Sequence, residues 1–165
     1  MTVLQLLAHA PSVFEPVVTL GISVLTELEI PDDLRELVVL RVARDLDAPY
    51  VEAQHLTAAY DHNVDPAKAQ AVAYGSIAAA KLSDVERVVL DFTHEVLLCN
   101  EPSSNTITAL RSLISDRQIV ELLVVIGYYT LVCRLTTTCR VVPQASFIAD
   151  LMTSSRQPKA GDTAP

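Results

Sequence analysis

DLRELVVLRVARDLDAPYVEAQHLTAAYDH, residues 33–62, describes two helices and the bend between them. Leu34, Leu37, Val38 and Arg41 recur at helical spacing as far as about Asp45; Pro49 then opens a second helix carrying Glu52, His55, Leu56 and Ala59 to about His62. So short a connection favours an antiparallel pair. Glu36 stands about nine residues before the bend and His55 about five after it, a difference in level of roughly 6 Å. Side chains lean toward the N-terminus of their own helix, so Glu36 tilts away from the bend and His55 toward it. That predicts a water bridge between them rather than a direct bond.

The same helical period extends in both directions. Residues 2–9 read as a short amphipathic helix ended by Pro11, and residues 12–29 as a second, with Pro16 tolerated near its first turn. Asp65-Pro66 caps a helix running through Ala73, and Ser83 with Glu86 forms a capping box for another from Asp84 to Leu98. Helices over 106–114 and from Asp116 to about Cys139 follow. Pro143 separates a terminal helix or extension at 144–153, and the polar, proline-containing stretch 154–165 is expected to be a disordered tail. With 165 residues, half of them hydrophobic, only 4 Gly and no Trp, the chain reads as one all-α domain over 1–153 whose core is Leu, Val, Ile and Ala.

A formal charge of -8 argues against a phosphate-tracking surface, so nucleic acid is not an expected partner. The N-terminus has no basic start and carries Glu15 beside its apolar part, unlike a secretory signal, which points to a cytoplasmic protein. The longest apolar run, Leu122 to Cys133, is about 12 residues, short for a bilayer core of about 30 Å, so no membrane association is expected. Cys99, Cys133 and Cys139 form no Cys-x-x-Cys motif and suit a reducing compartment as inert thiols. A mean hydropathy of +0.33 on an acidic chain implies apolar surface covered between subunits.

Glu36 and His55 with their spacing, the intervening VVLRVAR, and SDRQIVELLVVIGYYTLVCRL at 115–135 resemble the carboxymuconolactone decarboxylase and alkylhydroperoxidase D-like family over about residues 14–140. The resemblance implies an alkylhydroperoxidase D-like helical bundle of about seven or eight helices, assembled as a trimer or hexamer, in which Glu36 and His55 form a proton relay. In the peroxidase branch of the family two cysteines stand seven and four residues before the His. Here those positions are Ala48 and Val51, placing the chain with the branch that lacks the Cys-x-x-Cys. Many relatives also have Glu-Trp after the Tyr, where this chain has Val51 and Glu52.

Glu52 and His55, three apart, share a helix face on which a carboxylate can orient an imidazole. With Glu36 they form a candidate acid/base set for proton transfer next to a carbonyl, needing no cofactor. A catalytically silent member binding a ligand or partner in the same pocket, and a peroxidase-type activity disfavoured by the missing cysteines, are the alternatives. For Glu36 the plain alternative is an intrahelical pair with a base such as Arg41. Arg41, Arg44 and Arg134 are candidate anchors for a substrate carboxylate, and Tyr128 and Tyr129 are candidate pocket walls. Glu52-x-x-His55 and Asp91-x-x-His94, with Glu36 and Glu121, have the ligand spacing of di-iron bundles. Their lone acids stand first and last, the wrong order, so no metal is expected.

Overall fold

The computed structural model describes residues 2–142; the expected terminal helix or extension at 144–153 and the tail at 154–165 lie outside the described residues. Eight α-helices follow one another: α1 (Val3–Leu7), α2 (Pro11–Thr26), α3 (Asp32–Asp45), α4 (Pro49–Asp61), α5 (Pro66–Ala73), α6 (Asp84–Cys99), α7 (Ser104–Leu113) and α8 (Asp116–Thr138). A single 3-10 turn, Ile77–Ala79, links α5 toward α6. Among the described residues there is no strand.

Polar caps set most boundaries. Ser83 and Glu86 make the expected box at the start of α6, and Ser115 with Gln118 makes a second at α8. Ser103 accepts from Thr106 N, so α7 begins two residues earlier than the apolar period alone indicated. α2 stops at Thr26, short of the expected residue 29, because the backbone N–H groups of Glu29 and Ile30 turn to one carboxylate oxygen of Glu121, at 2.8 and 3.1 Å.

The central element is α3. Every residue from Leu34 to Ala43 is buried, and the helix packs against α4, α5, α6 and α8. Val38, Val39 and Val42 face the main core shared with α8, while Leu37 and Leu40 face a smaller core with α5 and α6. A helix buried on all sides is ordinarily apolar all round. This one carries Arg35, Glu36 and Arg41 into the interior, and each is paired.

α8 is a continuous helix of 23 residues, not the 12-residue run isolated in the sequence, and by length and composition it can cross a membrane. In this fold Ile119, Leu122, Val125, Ile126, Tyr129 and Val132 pack into the core. Its other face exposes Val120, Leu123, Val124 and Leu131.

Glu121 ties α8 to the connection between α2 and α3, and its second oxygen accepts from Arg117 Nε at 2.9 Å. Glu121→Ala strands the buried Ile30 N–H, and a lost charged acceptor of this kind costs about 2–3 kcal/mol. Urea unfolding is expected to show a lower midpoint at unchanged slope for Glu121→Ala, and a smaller loss for Glu121→Gln, which keeps an acceptor.

Candidate active site

Three local features bring Glu36 and His55 together. Pro49 starts α4 at a position where no helical N–H is needed. Asp47 adopts φ 49°, and Ala48 N donates to Ala43 O at 2.9 Å, so the chain folds back directly on the last turn of α3. Both side chains then point into the interior, where Glu36 is fully buried and His55 nearly so.

His55 Nδ1 lies 2.7 Å from Glu36 Oε2, a direct hydrogen bond. The expected water bridge is corrected: the tight bend draws the helices together, and the extended glutamate side chain spans the remaining offset. An ionised carboxylate only accepts, so Nδ1 carries a proton in either charge state of the ring, and in the neutral imidazole Nε2 is the nitrogen left with a lone pair. The His55 ring also meets the Tyr129 ring edge-on, with centroids 4.7 Å apart.

The other Glu36 oxygen belongs to Arg35, with Nη2 at 3.0 Å and Nε at 3.3 Å. Arg35 is itself buried, pairs with Asp32, and donates to Leu25 O at 3.2 Å. Burial alone pushes the Glu36 carboxyl upward, but the His55 charge and hydrogen bond, followed by those of Arg35, outweigh it and hold Glu36 below the usual carboxylate range. Arg35 was missed because residues one apart on a helix do not normally face each other. The available signal was Asp32, three residues before Arg35 and on its face.

A cavity of about 20 Å³ opens beside His55, lined by Val3, Gly21, Leu25, Tyr50, Val51, Gln54, His55, Tyr128, Tyr129 and Val132. Tyr128 and Tyr129 are thus where a pocket wall was expected. Burial raises both phenols, Tyr129 well above the ordinary value, so both keep their protons. Tyr50 is hydrogen-bonded to the Val3 backbone, which seats α1 over α4.

Four expected site residues lie elsewhere. Glu52 is on the flank of α4 that faces Arg44 and Asp47; burial lifts its carboxyl above the usual range, Arg44 opposes that and Asp47 adds to it. The imidazole is oriented by Glu36, one helix away, in place of Glu52. Arg41 Nε donates to Asp45 Oδ2 at 2.8 Å, and His94 Nδ1 meets the same oxygen at 2.8 Å, so Arg41 serves the α3–α6 contact and does not reach the cavity. Arg44 packs over Gly75, and Arg134 lines a separate depression with Leu46 and Cys133. The four groups with di-iron spacing do not converge: Glu121 caps the α2–α3 connection and His94 binds Asp45. Ala48 and Val51, where the resemblance would place the peroxidase cysteines, are buried. Cys133 is buried as well, and burial pushes its thiol up to about 12.

Neither a protein-family model nor a curated protein sequence matches the chain. Solved structures do. A protein of unknown function from Agrobacterium tumefaciens, proposed to be the antioxidant defence protein AhpD, is 18% identical with a TM-score of 0.77, over 85% of this chain and 96% of that one. An uncharacterised peroxidase-related protein from Ralstonia eutropha JMP134, described as an alkylhydroperoxidase AhpD core, is 21% identical with a TM-score of 0.75, over 93% and 80%. The debrominase Bmp8 is 15% identical with a TM-score of 0.72, over 88% and 78%. At such identities the likeness establishes the fold, which is alkylhydroperoxidase D-like.

The low-lying Glu36 carboxyl has a consequence for acid stability. An unfolded glutamate takes up its proton near pH ~4.3, whereas Glu36 in the fold holds out to lower pH. Its stabilisation is therefore complete above that unfolded value and is lost as pH falls through the folded one. The stability gap between the wild type and Glu36→Gln, measured by urea unfolding, is expected to shrink steadily as pH falls below about 4.3.

Proposed function

We propose that the chain is a cofactor-free acid/base enzyme of the lyase or isomerase type, acting on a small organic carbonyl or carboxylate compound. The observation that carries this reading is the direct Glu36–His55 bond at 2.7 Å on the wall of a small apolar cavity. Glu36 fixes the tautomer, so Nε2 is the base. It removes a proton from the carbon next to a carbonyl, and the electron pair moves onto the carbonyl oxygen. The resulting imidazolium is stabilised by Glu36 and returns the proton to the same or a conjugated carbon. That is a proton exchange or isomerisation with nothing consumed. Decarboxylation uses the second half of this sequence, protonation of an enolate after carbon dioxide leaves.

A peroxidase-type activity has little support in the chemistry of the site. No thiol occupies either position before His55, and the buried Cys133 holds its proton too tightly to supply a thiolate at neutral pH. A silent ligand-binding role is the second reading, favoured by the cavity volume of about 20 Å³, room for little more than one water. We also propose that the exposed stripe of Val120, Leu123, Val124 and Leu131 on α8 pairs with further copies of the chain, as a trimer or hexamer. Leu123→Glu is then expected to yield a smaller species by light scattering, and an unchanged mass would remove the stripe from the contact.

The acid/base reading is tested by NMR of deuterium incorporation from solvent into a panel of small ketones and keto acids. His55→Ala is expected to lower the exchange rate by about 10²-fold or more while far-UV circular dichroism is retained. Equal rates in the variant and wild type would sink the proposal.

A further inference from the structure

The character of the substrate can be inferred from the charges around His55 and from what closes the cavity beside it. This inference rests on the acid/base reading above and narrows it.

The charged groups behind the cavity form one chain, Asp32, Arg35, Glu36 and His55, each touching the next. With His55 protonated the chain is neutral, and with His55 neutral it carries one negative charge. In neither state does it hold a surplus positive charge for an incoming carboxylate. Arg35, the one guanidinium nearby among the described residues, is spent on Glu36, Asp32 and Leu25 O. Arg41 is bound to Asp45, and Arg44 and Arg134 lie against other parts of the surface. The wall that a ligand would meet joins Val3, Leu25, Val51 and Val132 to neutral polar groups, the tyrosines and Gln54, and apart from His55 it carries no ionisable cation. A carboxylate moved from water into such a place loses its hydration with no counter-charge in return, whereas a ketone loses little.

The cavity is small for a reason that can be read from one contact. Tyr128 on α8 lays its hydroxyl directly over Gly21 on α2, where a Cβ would fall 2.2 Å from Tyr128 Oη. Gly21 leaves the space into which the tyrosine is folded, and the tyrosine fills the volume next to His55. Its ring stands edge-on to Tyr129 at 5.4 Å, which in turn stands edge-on to His55, so the two tyrosines and the imidazole form one continuous wall. Tyr128 is only partly buried and ends a flexible side chain. With the phenol over Gly21 the cavity holds little more than one water, so any larger ligand needs that side chain to move.

We propose that the substrate is a small uncharged carbonyl compound, of the size of a simple cyclic ketone, admitted when the Tyr128 side chain turns off Gly21, and that this side chain limits the size admitted. The phenol, which keeps its proton, then stands on the same wall as Nε2 and can donate to the carbonyl oxygen as charge develops there.

The test uses the full chain and two probes of one shape, cyclohexanone and cyclohexanecarboxylate, titrated while the His55 ring resonances are followed by NMR. Saturable perturbation by cyclohexanone, with at least ~10-fold tighter binding than the carboxylate, is expected. Equal or tighter binding of the carboxylate, or binding of neither probe, overturns the inference. Tyr128→Ala is expected to shift the preference toward cyclooctanone relative to cyclohexanone, with Tyr128→Leu as the substitute should the alanine variant fail to fold. An unchanged ratio of the two affinities removes Tyr128 as the size limit. The two levels of argument separate cleanly: ketone binding without His55-dependent deuterium exchange defeats the acid/base reading alone. Exchange confined to keto acids defeats the substrate class alone.

Discussion

A carboxylate that is fully buried in a small helical protein must be compensated at once, and Glu36 is compensated from both sides. Breaking such a pair by removing one partner leaves an orphaned interior charge, at a cost of several kcal/mol. Much else follows from that demand. α3 must be the central helix, since only there can Glu36 reach both Arg35 and the neighbouring α4. The bend at Asp47 must be tight, since a looser one would leave His55 short of the carboxylate. Arg35 must in turn be held, and Asp32 and Leu25 O hold it, which fixes the end of α2 against the start of α3.

α8 makes the complementary contribution. Glu121 near its start satisfies the N–H groups of Glu29 and Ile30, and two turns later Tyr128 and Tyr129 close the cavity beside His55. The helix that anchors the α2–α3 connection is therefore the one that walls the site. α1 and α2 complete the wall through Val3, Gly21 and Leu25, so the N-terminal pair rests on the site as well as on the core.

Much of the fold was legible because proline, serine caps and a 3.6-residue period mark helix ends locally. The Glu36–His55 pairing was legible because one short bend joins their helices. The rest depended on which way buried faces turn, and α3 offers no polar face from which to tell. Its charged residues are distributed around a helix that touches neighbours on every side, so Arg41 read as an anchor for substrate while it serves Asp45. Glu52 shares a face with His55 only approximately, and the inward turn of His55 leaves it on the Arg44 flank. Arg35 was hidden by a rule that holds for solvated helices; in a dry interior a long guanidinium wraps back to its own neighbour as well as to Asp32.

Ala48 and Val51, where the resemblance would place two thiols, bear on more than the list of reactive groups. Both side chains are buried, and Val51 puts hydrocarbon on the cavity wall beside His55. A drier wall lowers the local dielectric, which strengthens the hold of Glu36 on the imidazole and penalises any charge not already paired. An apolar side chain at this place suits the proposed proton transfer on a neutral partner. In the proposed reading His55 is a base whose counter-charge, Glu36, is built into the wall of its pocket.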